Sequence, residues 1–437
     1  TEAEIRFTFD GSEPKKNSIL FGTSFNVIRN YVVKARAYVP GKLPSPVVTM
    51  TYFIGENISL PVISISSNSG HLFGFDFGIM NNSIKDREVP GFVEYYDENK
   101  NLGFSTGVGL RLFGTTIFTL PQKPISIRFK SKFGIDELQY KLFEERENEK
   151  FKSIQLRNGG NDYNLSYFRD GLATNLLKGN MDIDYQEYKP CVVFINGDYH
   201  GIYEIREKLD DDYLSDNELI STENIDIIED SLTVVAGDEK DFQQLLKMIK
   251  TLKLSRDENF ELVASKMDMN EYINYMIHKI FIGYSIVDYN NKYWRTKDKS
   301  TKWRWIAHDM EHAFGEVSGD KYWENTFEKV SGNDPLLPEW STLIFKNLLE
   351  NIAFRDQVIQ RFAVYLTTIY QAEITLNILD SIKTVFQNPM PRHIQRWNSP
   401  PNIATWSRNI DSLRNYLEKR PAYIREHIGA LFPVTDS

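Results

Sequence analysis

Residues 192–210 read VVFINGDYHGIYEIREKLD, with two strand-forming runs on either side of Asn196-Gly197-Asp198. An Asn-Gly pair between two apolar runs predicts a tight β-hairpin, because both turn residues must adopt positive φ angles. Before this hairpin the apolar pattern is mainly that of strands, and after it mainly that of helices. The stretch therefore marks a change from a β-rich part to an α-rich part and predicts an α+β fold.

The β-rich part begins with residues 1–57, whose pattern of short strands differs from that of the residues that follow. Short alternating runs and Pro- or Gly-containing turn signals in residues 1–57 predict a small β-sandwich module. Further along the chain we expect strands at about 60–65, 92–96, 108–113 and 124–129, followed by a helix at 164–178.

The α-rich part shows helical spacing of apolar residues. Asp268, with Glu271 three residues later, is the pattern of a helix N-cap. A second hairpin is expected at 292–307, around the polar turn KDKS. The helices are expected at about 242–252, 272–284, 341–385 and 406–430.

Composition narrows the class of protein. The net charge of −9 disfavours nucleic acid as a partner, because phosphate backbones are bound by clustered Lys and Arg. No apolar run reaches the roughly 18 residues of a membrane helix, so no transmembrane segment is expected. The chain starts at Thr1 without a charged and apolar leader, and we expect that any leader has been removed.

The strongest chemical pattern lies in two loops. VDYNNKYWR occupies residues 287–295, and WIAHDMEHAFG occupies residues 305–315. Protein kinases place a base Asp, a metal-binding Asn, a hairpin and a metal-binding Asp in this order. Asp288, Asn291 and Asp309 reproduce the order, and their oxygen atoms suit Mg²⁺.

The spacing within this pattern differs from that of ordinary kinases. Asn291 follows Asp288 by three residues, whereas the kinase signature has five. Two acidic loops are also compatible with solvated turn carboxylates and an Asx-capped hairpin. The residues alone leave both interpretations open.

Several further stretches resemble the CotH spore-coat kinase family in order and spacing. They are GVGLRLFG (107–114), LPQKPISIRFKSKFG (120–134), IQLRNGGND (154–162), VVFINGDYHGIYEIREKLD (192–210), NNKYWR (290–295) and KWRWIAHDMEHAFG (302–315). The resemblance runs from about residue 60 to 425. The first 57 residues look like the immunoglobulin-like modules that follow the catalytic domains of chitobiase and β-hexosaminidase type enzymes.

The resemblance implies an atypical bilobal kinase-like domain over residues 58–437. Its β-rich lobe would cover about 58–208 and its helical lobe about 209–437. It also implies ATP and Mg²⁺ as cofactors. Ser or Thr hydroxyls of extracytoplasmic proteins would be the phosphate acceptors.

The family's two key aspartates fall on Asp288 and Asp309. Whether Asp288 acts as a general base or as a metal ligand stays open, because both roles need a carboxylate at that place. Asn291 is the expected second metal ligand. Glu311 stands where the family usually shows a second aspartate, which puts a second metal contact in doubt.

Two residues are candidates for the kinase-like ion pair that binds phosphate. Lys123, before the strand PISIRF, is the candidate phosphate-binding lysine, or else a solvated strand-end lysine. Asp170 could pair with Lys123, or could be a first-turn aspartate favoured by the helix dipole.

Other residues are candidates for the walls of the nucleotide site. Trp303 could stack on adenine, although Trp303 or Trp305 could instead belong to the core. Arg111, Glu207 and Lys208 are the remaining candidates for residues that line the cleft.

The expected function is that of a secreted or surface protein Ser/Thr kinase, found outside the cell, on the cell surface or on a spore. Cell-wall or coat components are further expected partners. The alternative is a surface adhesin or a coat or wall scaffold that keeps the fold without catalysis. A carbohydrate-active enzyme is a third interpretation, and it would need two carboxylates facing each other across an open cleft.

Overall fold

The computed structural model describes residues 3–284, 289–315 and 321–432, apart from the side chains of Ile117 and Asn333. Two units share the chain, and each is built from separate segments. The first comprises Thr1–Gly160, Tyr188–Lys208 and Val385–Asn402, and the second comprises Asn161–Glu187, Leu209–Thr384 and Ile403–Ser437.

The secondary structure confirms an α+β protein with strands concentrated before residue 208 and helices after it. In chain order the strands are β1 (Glu4–Thr8), β2 (Ile19–Leu20), β3 (Tyr31–Tyr38), β4 (Val48–Tyr52), β5 (Val62–Ser66), β6 (Val89–Tyr96), β7 (Leu102–Leu112), β8 (Ile125–Arg128), β9 (Leu138–Gln139), β10 (Lys150–Phe151), β11 (Ser153–Arg157), β12 (Asp184–Tyr185), β13 (Tyr188–Ile195), β14 (Asp198–Glu207), β15 (Ile225–Glu229), β16 (Thr233–Ala236), β17 (Lys292–Thr296) and β18 (Arg304–Ala307).

The helices in chain order are α1 (Ser69–Phe73), α2 (Arg169–Leu177), α3 (Asp211–Glu218), α4 (Lys240–Thr251), α5 (Asp257–Ala264), α6 (Met269–Phe281), α7 (Thr326–Glu328), α8 (Glu339–Leu348), α9 (Ile352–Thr367), α10 (Ala372–Gln387), α11 (Met390–Trp397) and α12 (Ile403–Leu431). Short 3₁₀ turns occur at Thr116–Phe118, Gly160–Asp162, Thr222–Asn224 and Lys321–Trp323, and a π turn occurs at Lys329–Asn333. Within the described ranges, each helix is too short or too polar to cross a membrane.

The N-terminal strands form one antiparallel sheet in the order β2-β1-β3-β4. The sequence predicted a β-sandwich within residues 1–57, but these residues form one sheet. The second layer is formed by β5 and β6 of the first unit. The buried Thr51 of β4 shares a hydrogen bond of 2.7 Å with Ser64 of β5, and its backbone N–H donates to Glu94 of β6 at 3.1 Å. The face of the sheet that carries Thr51 therefore meets β5 and β6 through polar side chains.

The main body of the first unit is a closed sheet in the order β11-β14-β13-β5-β6-β7-β8, completed by the pairing of β8 with β11. All of its pairings are antiparallel except that of β13 with β5. Isoleucine, valine and leucine side chains from alternating positions fill its interior. The hairpin predicted from Asn196-Gly197 joins β13 to β14, with φ angles of 51° and 87° at these two residues.

Helix α11 returns from the far end of the chain to pack on β14. The Ile202 backbone N–H donates to Nδ1 of His393 at 3.0 Å, and Nε1 of Trp397 donates to the His200 carbonyl at 2.8 Å. Gly201 lies between these contacts with φ of 108°, and a Cβ atom there would approach Trp397 Nε1 to 2.7 Å. The close approach of this helix therefore depends on the missing side chain at position 201.

The second unit contains a five-stranded sheet in the order β12-β18-β17-β15-β16, in which only the β12–β18 pairing is parallel. Its apolar side chains include Ile225, Ile227, Trp294 and Ile306, which pack against α3. Asp268 caps helix α6, since its side chain accepts a hydrogen bond from the Glu271 N–H at 3.2 Å. The sheet ends at the loops that carry Asn291 and Asp309.

Two buried histidines of the first unit give a stability prediction. Burial lowers the pKa of both His200 and His393 to about 3, from a usual value of 6.5. Between these values the unfolded chain binds more protons than the native chain, so the free energy of unfolding falls as pH decreases from 6.5 towards 3. Each histidine contributes up to about 1.4 kcal/mol per pH unit. We expect His393→Asn to reduce this slope in urea unfolding measured between pH 7 and pH 5.

The matched control is His71→Asn, at a half-buried histidine of the same unit. The same measurement on this variant shows how much of the change comes from replacing any histidine of this unit by asparagine. If the His393 variant and the wild-type protein lost equal stability as the pH falls, the conclusion that His393 is buried in its neutral form would be wrong.

Candidate active site

Asp309 lies in the loop that follows β18, with a backbone φ of 52°. Asp and Asn adopt this left-handed conformation more readily than other residues with a side chain. The Asp309 carbonyl accepts hydrogen bonds from Nδ2 of Asn290 at 3.3 Å and from the Tyr284 hydroxyl at 3.4 Å. A hydrogen bond thus joins the loop before β17 to the loop after β18.

Asp170 binds the Asp309 loop through the backbone of the next residue, Met310. It lies in the first turn of α2, is 5% exposed, and its Oδ1 accepts the Met310 backbone N–H at 2.7 Å. The neighbouring Arg169 forms an ion pair with Asp162 at 3.2 Å and donates to the Ala313 carbonyl at 2.7 Å. The start of α2 therefore binds the backbone of the loop at two points.

The end of this loop has an unusual backbone. Phe314 has a φ of 57°, which is uncommon for a bulky residue, and its N–H donates to the Ile282 carbonyl at 2.6 Å. Left-handed residues at 309 and 314, five positions apart, show that the loop conformation is imposed by its surroundings. Such strained backbone is found preferentially at functional sites.

Glu311 is buried and faces Asn161. Its Oε1 accepts hydrogen bonds from the Asn161 backbone N–H at 3.0 Å and from Asn161 Nδ2 at 2.7 Å. The same Nδ2 lies 3.0 Å from Nε2 of His312. Glu311 therefore connects the Asp309 loop to the segment that precedes α2.

Asn291 directly precedes β17, and its amide oxygen has two donors. The Lys279 ammonium donates to Oδ1 at 2.7 Å, and the Tyr275 hydroxyl donates to it at 3.3 Å. The Asn291 backbone N–H donates to Asp230 at 3.1 Å. Because a carbonyl oxygen has two lone pairs, a metal ion bound to Asn291 would have to replace one of these donors.

Lys279 is a buried cation that the sequence patterns did not single out. It is 4% exposed, and burial lowers its pKa to about 7, while the charge of Asp230 opposes that shift. Its ammonium lies 4.8 Å from the ring centre of Tyr275 and 4.9 Å from that of Tyr284. Two aromatic faces and one amide oxygen thus stabilise the charge.

Two of the cationic candidates of the first unit, Lys123 and Arg111, have local partners. Lys123 precedes β8, donates to the Leu120 carbonyl at 2.7 Å, and has a pKa lowered by burial. Arg111 of β7 forms an ion pair with Asp86 at 2.6 Å and donates to the Lys85 carbonyl at 2.8 Å. The pairing of Lys123 with Asp170 stays a prediction.

The end of β14 carries the other two candidates of the first unit. Glu207 is buried and forms an ion pair with Arg146 at 3.3 Å. Lys208 follows it directly and is half-buried. Their role in lining a nucleotide cleft also stays a prediction.

Trp303 is enclosed by protein on all sides and has no exposed surface. Phe242 packs edge-on at a ring-centre distance of 4.9 Å, and the Arg295 guanidinium lies 5.2 Å from the ring centre. Its Nε1 donates to Asp241 at 3.3 Å. With no open face for stacking on a base, Trp303 belongs to the core, and Trp305 is buried as well.

The donor set fits Mg²⁺ in chemistry, because Asp309, Glu311 and Asn291 all offer oxygen atoms. Asp288 lies outside the described residues. Among the residues that the structure does describe, three acidic side chains come close enough to share an ion at Asp210–Asp212, at the start of α3, and not at Asp309. Within that cluster the Asp210 side chain accepts the Tyr213 N–H at 3.3 Å and so caps α3.

Comparison with known families gives two matches. A family model described as CotH kinase protein matches residues 110–424, and one described as Fn3 associated matches residues 1–52. No curated protein matches the chain. The first match spans α2, the hairpin of β17 and β18, and the Asp309 loop, and so includes every contact described for the second unit above.

The hydrogen bond from Met310 to Asp170 predicts a specific loss of stability. Asp170→Ala leaves this N–H unpaired and should lower the free energy of unfolding by about 1–3 kcal/mol. Asp170→Asn keeps an acceptor oxygen and should lose less. Urea unfolding measures both variants, with Asp356→Ala on the exposed face of α9 as the control. Equal stability of the Asp170→Ala and control variants would contradict the anchoring role.

Proposed function

The chain belongs to the CotH kinase family, and we propose that it transfers the γ-phosphate of ATP to Ser or Thr hydroxyls of other proteins in a Mg²⁺-dependent reaction. One observation carries most of the proposal: Asn290 donates to the Asp309 carbonyl. That contact joins the two loops in which the kinase-like pattern lies. Membership of the family supports a kinase-related function in general.

In the proposed reaction the acceptor hydroxyl oxygen forms a bond to the γ-phosphorus, the bond to the β–γ bridging oxygen breaks, and ADP leaves. The hydroxyl proton passes to a carboxylate, for which Asp288 is the candidate. When bound, Mg²⁺ would offset the negative charge of the phosphate oxygens. Asp309 would hold the ion, with Glu311 and Asn291 as further candidate ligands.

Other residues of the proposed site act by position and charge. Lys123 would bind phosphate oxygens, and Arg111, Glu207 and Lys208 would line the nucleotide cleft. Asp170 would act as a positioning residue, because it fixes the Met310 N–H next to Asp309. Correct placement of reacting groups supplies much of the rate acceleration in phosphoryl transfer.

The proposal also covers the location of the protein and its division into domains. We place the protein outside the cell or on a cell or spore surface, where coat or wall components would be its protein partners. Residues 1–57 would be an accessory module and 58–437 the kinase-like domain, with a lobe boundary near residue 208.

A second candidate function is a non-catalytic adhesin or scaffold with the same fold. The observation that favours it is the amide oxygen of Asn291, whose two lone pairs already accept hydrogen bonds from Lys279 and Tyr275. A non-catalytic scaffold does not require a metal ion at Asn291. Measuring whether the protein binds ATP distinguishes the two candidate functions, because only the kinase requires ATP.

Asp309→Asn tests the catalytic assignment. Loss of the carboxylate charge should lower Mg²⁺-dependent phosphate transfer from ATP by at least about a hundredfold. The half-buried side chain should leave the thermal transition nearly unchanged. Phosphate incorporation into protein substrate is measured with labelled ATP, and Asp356→Asn serves as the control. Equal transfer by the Asp309 variant and the wild-type protein would remove Asp309 from the site.

Nucleotide binding is tested by thermal unfolding. A ligand that binds only the native state stabilises it, by about 2.7 kcal/mol at a concentration of one hundred times the Kd. We expect ATP with Mg²⁺ to raise the Tm, and ATP with a chelator to raise it less. Absence of any shift at millimolar nucleotide would favour the scaffold.

A further inference from the structure

A short segment of the first unit exposes three phenylalanine side chains. Phe73, Phe75 and Phe77 stand at alternate positions at the end of α1 and directly after it, and they are 39%, 92% and 67% exposed. We call residues 73–78 the phenylalanine loop. Single exposed apolar residues are normal on a protein surface, but a cluster of bulky ones marks an interaction site.

The backbone of the phenylalanine loop is fixed by hydrogen bonds. The Gly78 N–H donates to the Gly74 carbonyl at 2.9 Å, and Nδ2 of Asn82 donates to the carbonyls of Phe75 and Gly78 at 3.1 and 3.0 Å. Buried residues on both sides of the loop belong to the core of the closed sheet: Leu72, Ile79 and Met80. The fold therefore holds these phenylalanines at the surface in one backbone conformation.

Cations lie directly beside the loop. Arg87 donates to the Phe77 carbonyl at 2.6 Å, and its guanidinium lies 5.6 Å from the Phe77 ring centre. Lys85, two positions earlier, is exposed. The acids of this stretch are Asp76, which is exposed, and Asp86, whose carboxylate pairs with an arginine of β7.

The positive charge continues along the same segment to Glu88. Three cations surround this carboxylate, with Arg128 at 3.5 Å, Lys130 at 2.7 Å and Lys132 at 3.0 Å. One carboxylate offsets one of these charges, and no other acid among the described residues forms an ion pair with them. This face thus has an excess of positive charge, although the chain carries a net charge of −9.

We propose that this face binds the surface of a lipid bilayer that contains anionic headgroups. Phe75 and Phe77 enter the layer between headgroups and acyl chains, and the cations lie next to the headgroups. Exposed aromatic side chains combined with Lys and Arg are typical of proteins that bind in this interface. The proposal is independent of the proposed phosphate transfer and requires neither ATP nor a metal ion.

The exposure of Phe75 favours a bilayer over a protein partner. With 92% of its surface exposed, this side chain protrudes from the protein. A protein partner would need a pocket that matches the protruding ring. A fluid bilayer accommodates it without such a pocket, and the anionic headgroups match the charge of the cations around Glu88.

The experiment measures sedimentation of the full chain with lipid vesicles. One set of vesicles is phosphatidylcholine alone, and the other contains about 30% phosphatidylglycerol, which is anionic. We expect binding to the anionic vesicles to be at least tenfold tighter than to the neutral ones. Raising the NaCl concentration from about 0.05 M to about 0.5 M should weaken it at least tenfold, because salt screens exposed charges.

Variants locate the membrane-binding face. Phe75→Ala combined with Phe77→Ala should weaken binding to the anionic vesicles at least tenfold, because less apolar surface leaves water. Trp323→Ala, at an exposed tryptophan of the second unit, is the control and should leave binding unchanged. Both phenylalanines are exposed, so the double variant should keep the thermal transition of the wild-type protein.

A second pair of variants tests the charge. Lys130→Gln combined with Lys132→Gln should weaken binding to the anionic vesicles and reduce its dependence on salt. Binding to the neutral vesicles should not change. Glu88 keeps Arg128 as a partner in this variant, so its carboxylate is not left without a cation.

Three results would overturn the proposal. The first is equal binding to the neutral and the anionic vesicles, which would remove the role of the cations. The second is unchanged binding by the phenylalanine variant, or no binding by the wild-type protein at about 1 mM lipid. The third is a wild-type dimer in light scattering that the phenylalanine variant converts to a monomer, which would assign the loop to a contact between two copies of the chain.

Discussion

Two hydrogen bonds to the backbone around Asp309 determine the geometry on which the candidate site depends. The Met310 N–H reaches the carboxylate of Asp170, and the Asp309 carbonyl receives the amide of Asn290. The loop between them has left-handed backbone at Asp309 and Phe314, a conformation that persists only where surrounding contacts require it. Buried acceptors and donors must be paired, so the contacts of α2 and of the β17 loop leave this loop little freedom.

Local signals in the sequence predicted the elements that carry this geometry. Asn196-Gly197 predicted the hairpin because few other pairs tolerate positive φ at both positions, and Asp268 predicted a helix start because its side chain can accept a backbone N–H. The position of Asp309 after a strand followed from the apolar run before it. Each of these inferences depends on residues within a few positions of one another.

The remaining features depend on contacts between distant parts of the chain, which periodicity cannot predict. His393 and Ile202 are 191 positions apart, so the return of α11 to the first unit has no local signal. Lys279 lies within an amphipathic helix, where a lysine is usually solvated, but its ammonium contacts Asn291 and the rings of Tyr275 and Tyr284 instead. The core position of Trp303 likewise follows from contacts with Phe242 and Asp241, which no motif indicated.

Asn291 is both a candidate metal ligand and a hydrogen-bond partner of the buried Lys279. Its side-chain oxygen accepts hydrogen bonds from Lys279 and Tyr275, so in this structure it binds buried protein groups. The central claim is that Asp309 holds the metal that accompanies ATP, and a crystal structure with Mg²⁺ and a non-hydrolysable ATP analogue tests it most directly. The account predicts a metal ion at about 2.1 Å from an Asp309 carboxylate oxygen, in contact with the phosphates. A nucleotide bound with its metal away from Asp309 would contradict the account.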